Sequence, residues 1–127
     1  MKTKTKIDVQ GALKDKAKKH FKGTIDFKRG SKKAIGTENE ECMLLSPKSK
    51  SIAAQIILCS EEDVEGDHSN STGKIEDKQL FYLMSRGISK KESMKLLVKA
   101  KFNKIIEKIK NEKIKNEISQ NLEQKLD

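Results

Sequence analysis

The residues best suited to chemistry lie in one run, Glu61-Glu62-Asp63-Val64-Glu65-Gly66-Asp67-His68. Imidazole beside carboxylates is a donor set that suits iron or zinc. Spacing decides how many of these groups one ion can meet. In an extended strand Asp63, Glu65 and Asp67 share one face, while Val64, Gly66 and His68 share the other. His68 and Asp67 then point apart, so the run is not expected to close a metal site within one chain. Its structural alternative is a solvated acidic loop with a hydrogen-bonded histidine. The other histidine, His20, sits among lysines and receives no role. Cys42 and Cys59 form neither a CxxC zinc motif nor a disulfide framework, and both are expected as small residues of buried strands. Cys42 follows Glu38, Glu40 and Glu41 rather than the electropositive setting a reactive thiol needs. The chain has no Walker loop, GxGxxG, HExxH or GxSxG motif, and no paired general acid and base, so no catalysis of its own is expected.

Two textures must position these groups. Up to about Gly73 the apolar residues alternate. Ile7, Val9, Gly11 and Leu13 do so, and Phe21, Gly23, Ile25 and Phe27 do so again. A period of two marks a strand with one buried face. Both segments contain apolar-x-Gly-x-apolar, at Val9–Leu13 and at Phe21–Ile25. Short apolar runs follow at Met43-Leu44-Leu45 and Ile52–Cys59. Several short strands bounded by turn residues point to an all-β array, with stacked β-helices among the candidates.

From Lys74 onward the spacing is helical. Leu80, Leu83, Met84 and Gly87 fall at steps of three and four, and Gly87 stands where a left-handed residue would stop the helix. Ser89-Lys90-Lys91-Glu92 is a capping box. Met94, Val98, Phe102, Ile105, Ile106 and Ile109 continue an apolar stripe, and Asn111 is placed to cap a last helix carrying Ile114, Ile118 and Leu122. That last stripe is narrow, so the helix is expected to fray or to need a partner.

Charge narrows the partners. Residues 1–33 carry 12 Lys/Arg and 3 Asp, residues 34–73 carry 2 Lys and 8 acids, and residues 74–127 carry 14 basic and 8 acidic residues. The net charge of +9 invites a nucleic-acid reading. Yet only Arg29 and Arg86 are arginines, whereas readers of bases and phosphate forks favour Arg. After Arg86 the one aromatic is Phe102, too few for base stacking. Nucleic acid is therefore not the expected partner. No apolar run approaches the ~20 residues of a membrane helix. The N-terminus lacks the apolar core of a signal peptide. A membrane role is not expected, and a cytoplasmic setting is.

One stretch resembles a known family. Val64-Glu65-Gly66-Asp67-His68-Ser69-Asn70-Ser71-Thr72-Gly73-Lys74-Ile75, followed by Leu80-Phe81-Tyr82-Leu83-Met84-Ser85-Arg86-Gly87-Ile88, resembles the C-terminal part of the SufB/SufD family. These are scaffold subunits of the SUF iron–sulfur cluster assembly system. Gly11-Ala12-Leu13, Phe21–Ile25 and Leu44-Leu45-Ser46 also look like family segments. The resemblance implies a partial right-handed parallel β-helix over residues 1–73, entered partway along, and a C-terminal α-helical domain over residues 74–127. It implies two partners, a SufB/SufD-type scaffold subunit met through the β part and a SufC-type ATPase docked by the helical part. The docking region or its support would comprise Leu80, Phe81, Leu83, Met84, Arg86, Met94, Val98 and Phe102. His68 matches a histidine that the SufD branch carries near the subunit interface, and would serve as a metal ligand shared across it. Several SufD-type sequences place a Cys two residues earlier, where this chain has Gly66. Cys42 is not assigned as the acceptor thiol of the SufB branch. No cofactor is expected on this chain alone; iron or a nascent iron–sulfur cluster would be held transiently at the interface. The alternatives are a small basic nucleic-acid-binding protein and a truncated remnant without function.

Overall fold

The structure is a computed structural model that describes residues 2–127. The chain divides into two compact units, one ending at Gly73 and one comprising Lys74–Asp127. The first contains five strands: β1 (Lys4–Leu13), β2 (Lys18–Phe27), β3 (Ala34–Leu44), β4 (Lys50–Cys59) and β5 (Val64–Lys74). The second contains three helices: α1 (Asp77–Ser85), α2 (Lys90–Ile106) and α3 (Glu112–Leu126).

Successive strands alternate between two parallel sheets. One is three-stranded in the order β1-β3-β5, and the other is the pair β2-β4. Lys4 pairs with Ile35 and Leu13 with Leu44 in the first sheet; Lys18 pairs with Lys50 and Phe27 with Cys59 in the second. Parallel neighbours cannot be joined by a tight turn and need a crossover. Here each crossover is a strand of the other sheet.

This corrects the expected fold class. The architecture is a mixed α and β one, with two separate small parallel sheets and three helices, in place of a partial right-handed parallel β-helix before a helical domain. Period-two alternation identifies strands and their buried faces. It carries no information on how the strands are shared among sheets; the β-helix is implied by the family resemblance, and the strand pairing gives two separate sheets instead.

The interior between the strands has an apolar half and a charged half. Ile25, Phe27 and Ala34 form a buried cluster, with Ile7, Ile57 and Val64 packed against it. Further along β3 the inward positions are Glu38, Glu40 and Cys42, all buried. Cys42 is thus buried as expected, whereas Cys59 is exposed and its thiol donates to the Glu61 carbonyl at 2.9 Å.

The helical unit follows its local signals closely. Gly87 has φ 89°, its N–H donates to the Met84 carbonyl at 3.0 Å, and Ile88 N–H donates to the Leu83 carbonyl at 3.3 Å. Those two bonds and a left-handed glycine are the Schellman termination of α1. Ser89 Oγ accepts from Glu92 N–H at 3.2 Å, and Asn111 Oδ1 accepts from Ile114 N–H at 3.2 Å, so both caps are made. Val98 and Ser93 are fully enclosed and Ile106 nearly so. Helix α3 is fastened to α2 by charge: Lys95 pairs with Glu123 at 2.7 Å and also with Asp127, and Lys99 pairs with Glu123. The two ammonium groups hold the Glu123 carboxyl down at about 2 and, in return, the carboxylates push Lys95 upward. Among the described residues no helix is long and apolar enough to cross a membrane.

Candidate functional site

Strand β5 positions His68. β5 lies at the edge of the three-stranded sheet, so one side of its backbone has no strand partner among the described residues. Val64 is half-buried, and the rest of β5 is exposed. Val64 packs on the apolar cluster, and a side chain added at Gly66 would meet Phe27 and Ile57 at 3.1 and 3.3 Å. Both therefore face inward, and alternation gives His68 the same face and Asp67 the opposite one. The strand-face separation of His68 from Asp67 thus follows from the observed strand. Among the described residues no three His, Cys, Asp or Glu side chains converge on one point. His68 is exposed on this edge strand.

Polar bonds that the sequence reading missed fix the strand around His68. Gln55 on β4 donates its amide to the Ser69 carbonyl at 3.0 Å. Ser69 Oγ donates to Asn39 Oδ1 at 2.8 Å, and Asn39 Nδ2 donates to Asp8 Oδ1 at 3.1 Å. This row crosses β5, β3 and β1. Its local signal is weak, because Asp8, Asn39 and Ser69 lie some 30 positions apart in the chain.

The second surface lies on α1. Phe81 is 75% exposed, Tyr82 56% and Met84 44%. Arg86 sits with its guanidinium 5.3 Å from the Tyr82 ring centre and donates to the Tyr82 hydroxyl at 3.3 Å. It thereby holds the ring against α1 by a cation–π contact. Leu80, Leu83, Met94 and Phe102 are half-buried. Val98, on α2, is wholly enclosed. Leu96 is 45% exposed and was not singled out by the sequence reading, because it falls outside the Met94–Val98–Phe102 stripe. Ile52 and Leu58 on β4 and Ile114 and Ile118 on α3 are exposed too. Scattered single apolar residues are ordinary on a surface; on α1, Phe81, Tyr82 and Met84 are exposed together within one short helix.

Comparison with known proteins gives a consistent answer. Residues 1–101 match the family described as the SUF system FeS cluster assembly, SufBD core domain. The chain is 32% identical over 116 residues to the iron–sulfur cluster assembly protein SufD of Bacillus subtilis, covering 91% of this chain and 26% of that protein. It is 25% identical over 114 residues to SufD of Escherichia coli, covering 90% of this chain and 27% of that protein. A SufBD family protein of Mycobacterium leprae is 46% identical over 50 residues, 39% of this chain and 13% of that protein. The chain thus spans about a quarter of the length of the two SufD proteins it matches.

Proposed function

The chain belongs to the SufB/SufD family of SUF iron–sulfur cluster assembly proteins, SufD-like within it, and from that premise we propose that it is a scaffold subunit without catalysis of its own. In this reading it pairs with a SufB/SufD-type subunit through its strand unit and docks a SufC-type ATPase through α1 and α2, in the cytoplasm. The observation that carries the docking is the exposed Phe81–Tyr82–Met84 surface, rigidified by Arg86, on a chain otherwise rich in lysine. Aromatic side chains and methionine are the residues enriched where partners meet. The pairing is supported by β5, whose unpartnered edge offers a row of backbone donors and acceptors to another strand. His68 on that edge would supply one ligand to iron or to a nascent cluster, the cargo of assembly, and the partner subunit would supply the rest.

The test is co-purification of the full chain with the SufC-type ATPase and SufB-type scaffold of its host, followed by size-exclusion chromatography with light scattering. Phe81→Glu is expected to remove the ATPase and keep the scaffold subunit. His68→Ala is expected to keep both proteins and to lower the iron retained by the complex. Loss of ATPase binding in His68→Ala, with Phe81→Glu unaffected, reverses the assignment of the two surfaces. Docking through an apolar face should also survive moderate salt, whereas nucleic-acid binding falls steeply with ionic strength.

A further inference from the structure

The two edges of the three-stranded sheet carry opposite charge. β1 and β5 are those edges, so among the described residues each has a backbone side without a strand partner. Ile7 and Val64 pack on the apolar cluster, which puts Lys4, Lys6 and Asp8 on the outer face of β1 and Glu65, Asp67 and Ser69 on the outer face of β5. Lys4, Lys6, Glu65 and Asp67 are all exposed, and Lys6 lies 3.4 Å from Asp8. The β1 side also presents apolar lining: Ile7, Ile25 and Phe27 border a cavity of about 290 Å³. The strand ladder fixes which charges correspond. Lys4 pairs with Ile35, Lys6 with Thr37 and Asp8 with Asn39. Ser69 Oγ donates to Asn39 Oδ1, which sets Ser69 beside Asn39. Parallel strands run in step, so Asp67 lies beside Thr37 and Glu65 beside Ile35. The row that starts at Lys4 therefore ends at Glu65, and the row that starts at Lys6 ends at Asp67.

We infer that a second copy of this chain occupies the β5 edge, adding its β1 in parallel so that copies stack head to tail. Continuing the sheet with the same alignment sets Lys4 of the added strand beside Glu65 and its Lys6 beside Asp67. Opposite charges on neighbouring strands attract, and like charges in the same places repel. An antiparallel approach would instead bring the lysine end of β1 to Ser71–Lys74, where β5 has no carboxylate. The charge of the surrounding chain runs the same way: residues 1–33 hold 12 Lys/Arg and 3 Asp, and residues 34–73 hold 2 Lys and 8 acids. A contact between two different edges does not close on itself, so the assembly grows with concentration. This rests on β5 being the pairing edge proposed above and names a further occupant for it; a scaffold subunit bound there ends the stack.

Sedimentation velocity of the full 127-residue chain over a concentration series tests this. Wild type is expected to form species that grow beyond a dimer as concentration rises. Lys4→Glu with Lys6→Glu, and separately Glu65→Lys with Asp67→Lys, should each weaken self-association at least about tenfold. An equimolar mixture of the two variants should restore it, because each then offers the charge the other needs. Circular dichroism checks that both variants are folded; should the β1 variant not fold, the β5 variant carries the test alone, with the expected loss unchanged. Wild type that stays monomeric overturns the inference, as does a dimer that grows no further. Unchanged assembly in a folded charge variant overturns it too, and so does a mixture of folded variants that fails to reassemble. Loss of assembly in Phe81→Glu with both charge variants unaffected places the contact on α1 and overturns it. A monomeric chain that still binds a scaffold subunit overturns the self-stacking alone; one that binds neither removes β5 as a pairing edge as well.

Discussion

Replacing Phe81 by alanine separates docking from folding. The ring is 75% exposed, so about three-quarters of its surface is available to a partner and little of it contributes to the helical unit. Burying a whole phenylalanine side chain is worth roughly 1.5–3 kcal/mol, so covering this one is worth roughly 1–2 kcal/mol. That corresponds to about a 5- to 30-fold weaker Kd for the SufC-type ATPase. Stability should move by no more than about 0.5 kcal/mol, the range of ordinary surface substitutions. Isothermal titration with the purified ATPase reads the first quantity, and urea unfolding of the chain alone reads the second. Unchanged affinity in a normally folded variant refutes the assignment of α1 as the docking surface. A drop in stability as large as the loss of binding refutes the separation, because Phe81 would then be a packing residue.

The helical unit supports four further expectations. Val98→Ala removes a wholly enclosed side chain and should lower stability by about 1–3 kcal/mol, read by urea unfolding, with ATPase affinity weakened only indirectly. Ser89→Ala removes the cap that accepts from Glu92 N–H and should cost about 1 kcal/mol, seen as fraying of the first turn of α2 by hydrogen exchange. Glu123 is held at about 2 against an ordinary 4.5, so its attachment of α3 is complete above the ordinary value and is lost as pH falls toward 2. Amide exchange in α3 should therefore accelerate over that window before the strands respond. Raising salt at neutral pH should loosen α3 in the same way, because exposed ion pairs are screened.

The helical unit was legible because its signals are local. The Ser89 cap reaches three residues to Glu92, the Asn111 cap reaches three to Ile114, and Gly87 closes α1 on Met84 and Leu83. Each signal and its response lie within one turn. The alternation of Ile7 to Leu13 and of Phe21 to Phe27 was equally local, and it falls within β1 and β2. The division of strands between two sheets was not local. Lys4 pairs with Ile35 and Lys18 with Lys50, and no nearby residue announces either partner.

Strand β3 shows most clearly why a sequence reading of this unit stops short. Alternation reveals a strand when its inward residues are apolar. The inward face of β3 begins with Ala34 and Gly36 and continues with Glu38, Glu40 and Cys42, so its hydropathy runs against its burial. Read locally, Glu38 to Glu41 shows no apolar alternation. What makes it a central strand is supplied from β2: an ammonium at Lys19 for Glu40 and an empty side-chain position at Gly23 for Glu38. Neither glycine nor lysine carries a mark of that duty in its own neighbourhood, where Gly23 reads as part of an apolar alternation and Lys19 as one of many lysines. An acidic residue enclosed by a glycine on the facing strand is costly unless a counter-charge reaches it. Glu40 has one in Lys19, and Glu38 has none among the described groups. The same pairing that hides β3 from the sequence therefore leaves Glu38 as an enclosed carboxyl group without a hydrogen-bond partner for either side-chain oxygen.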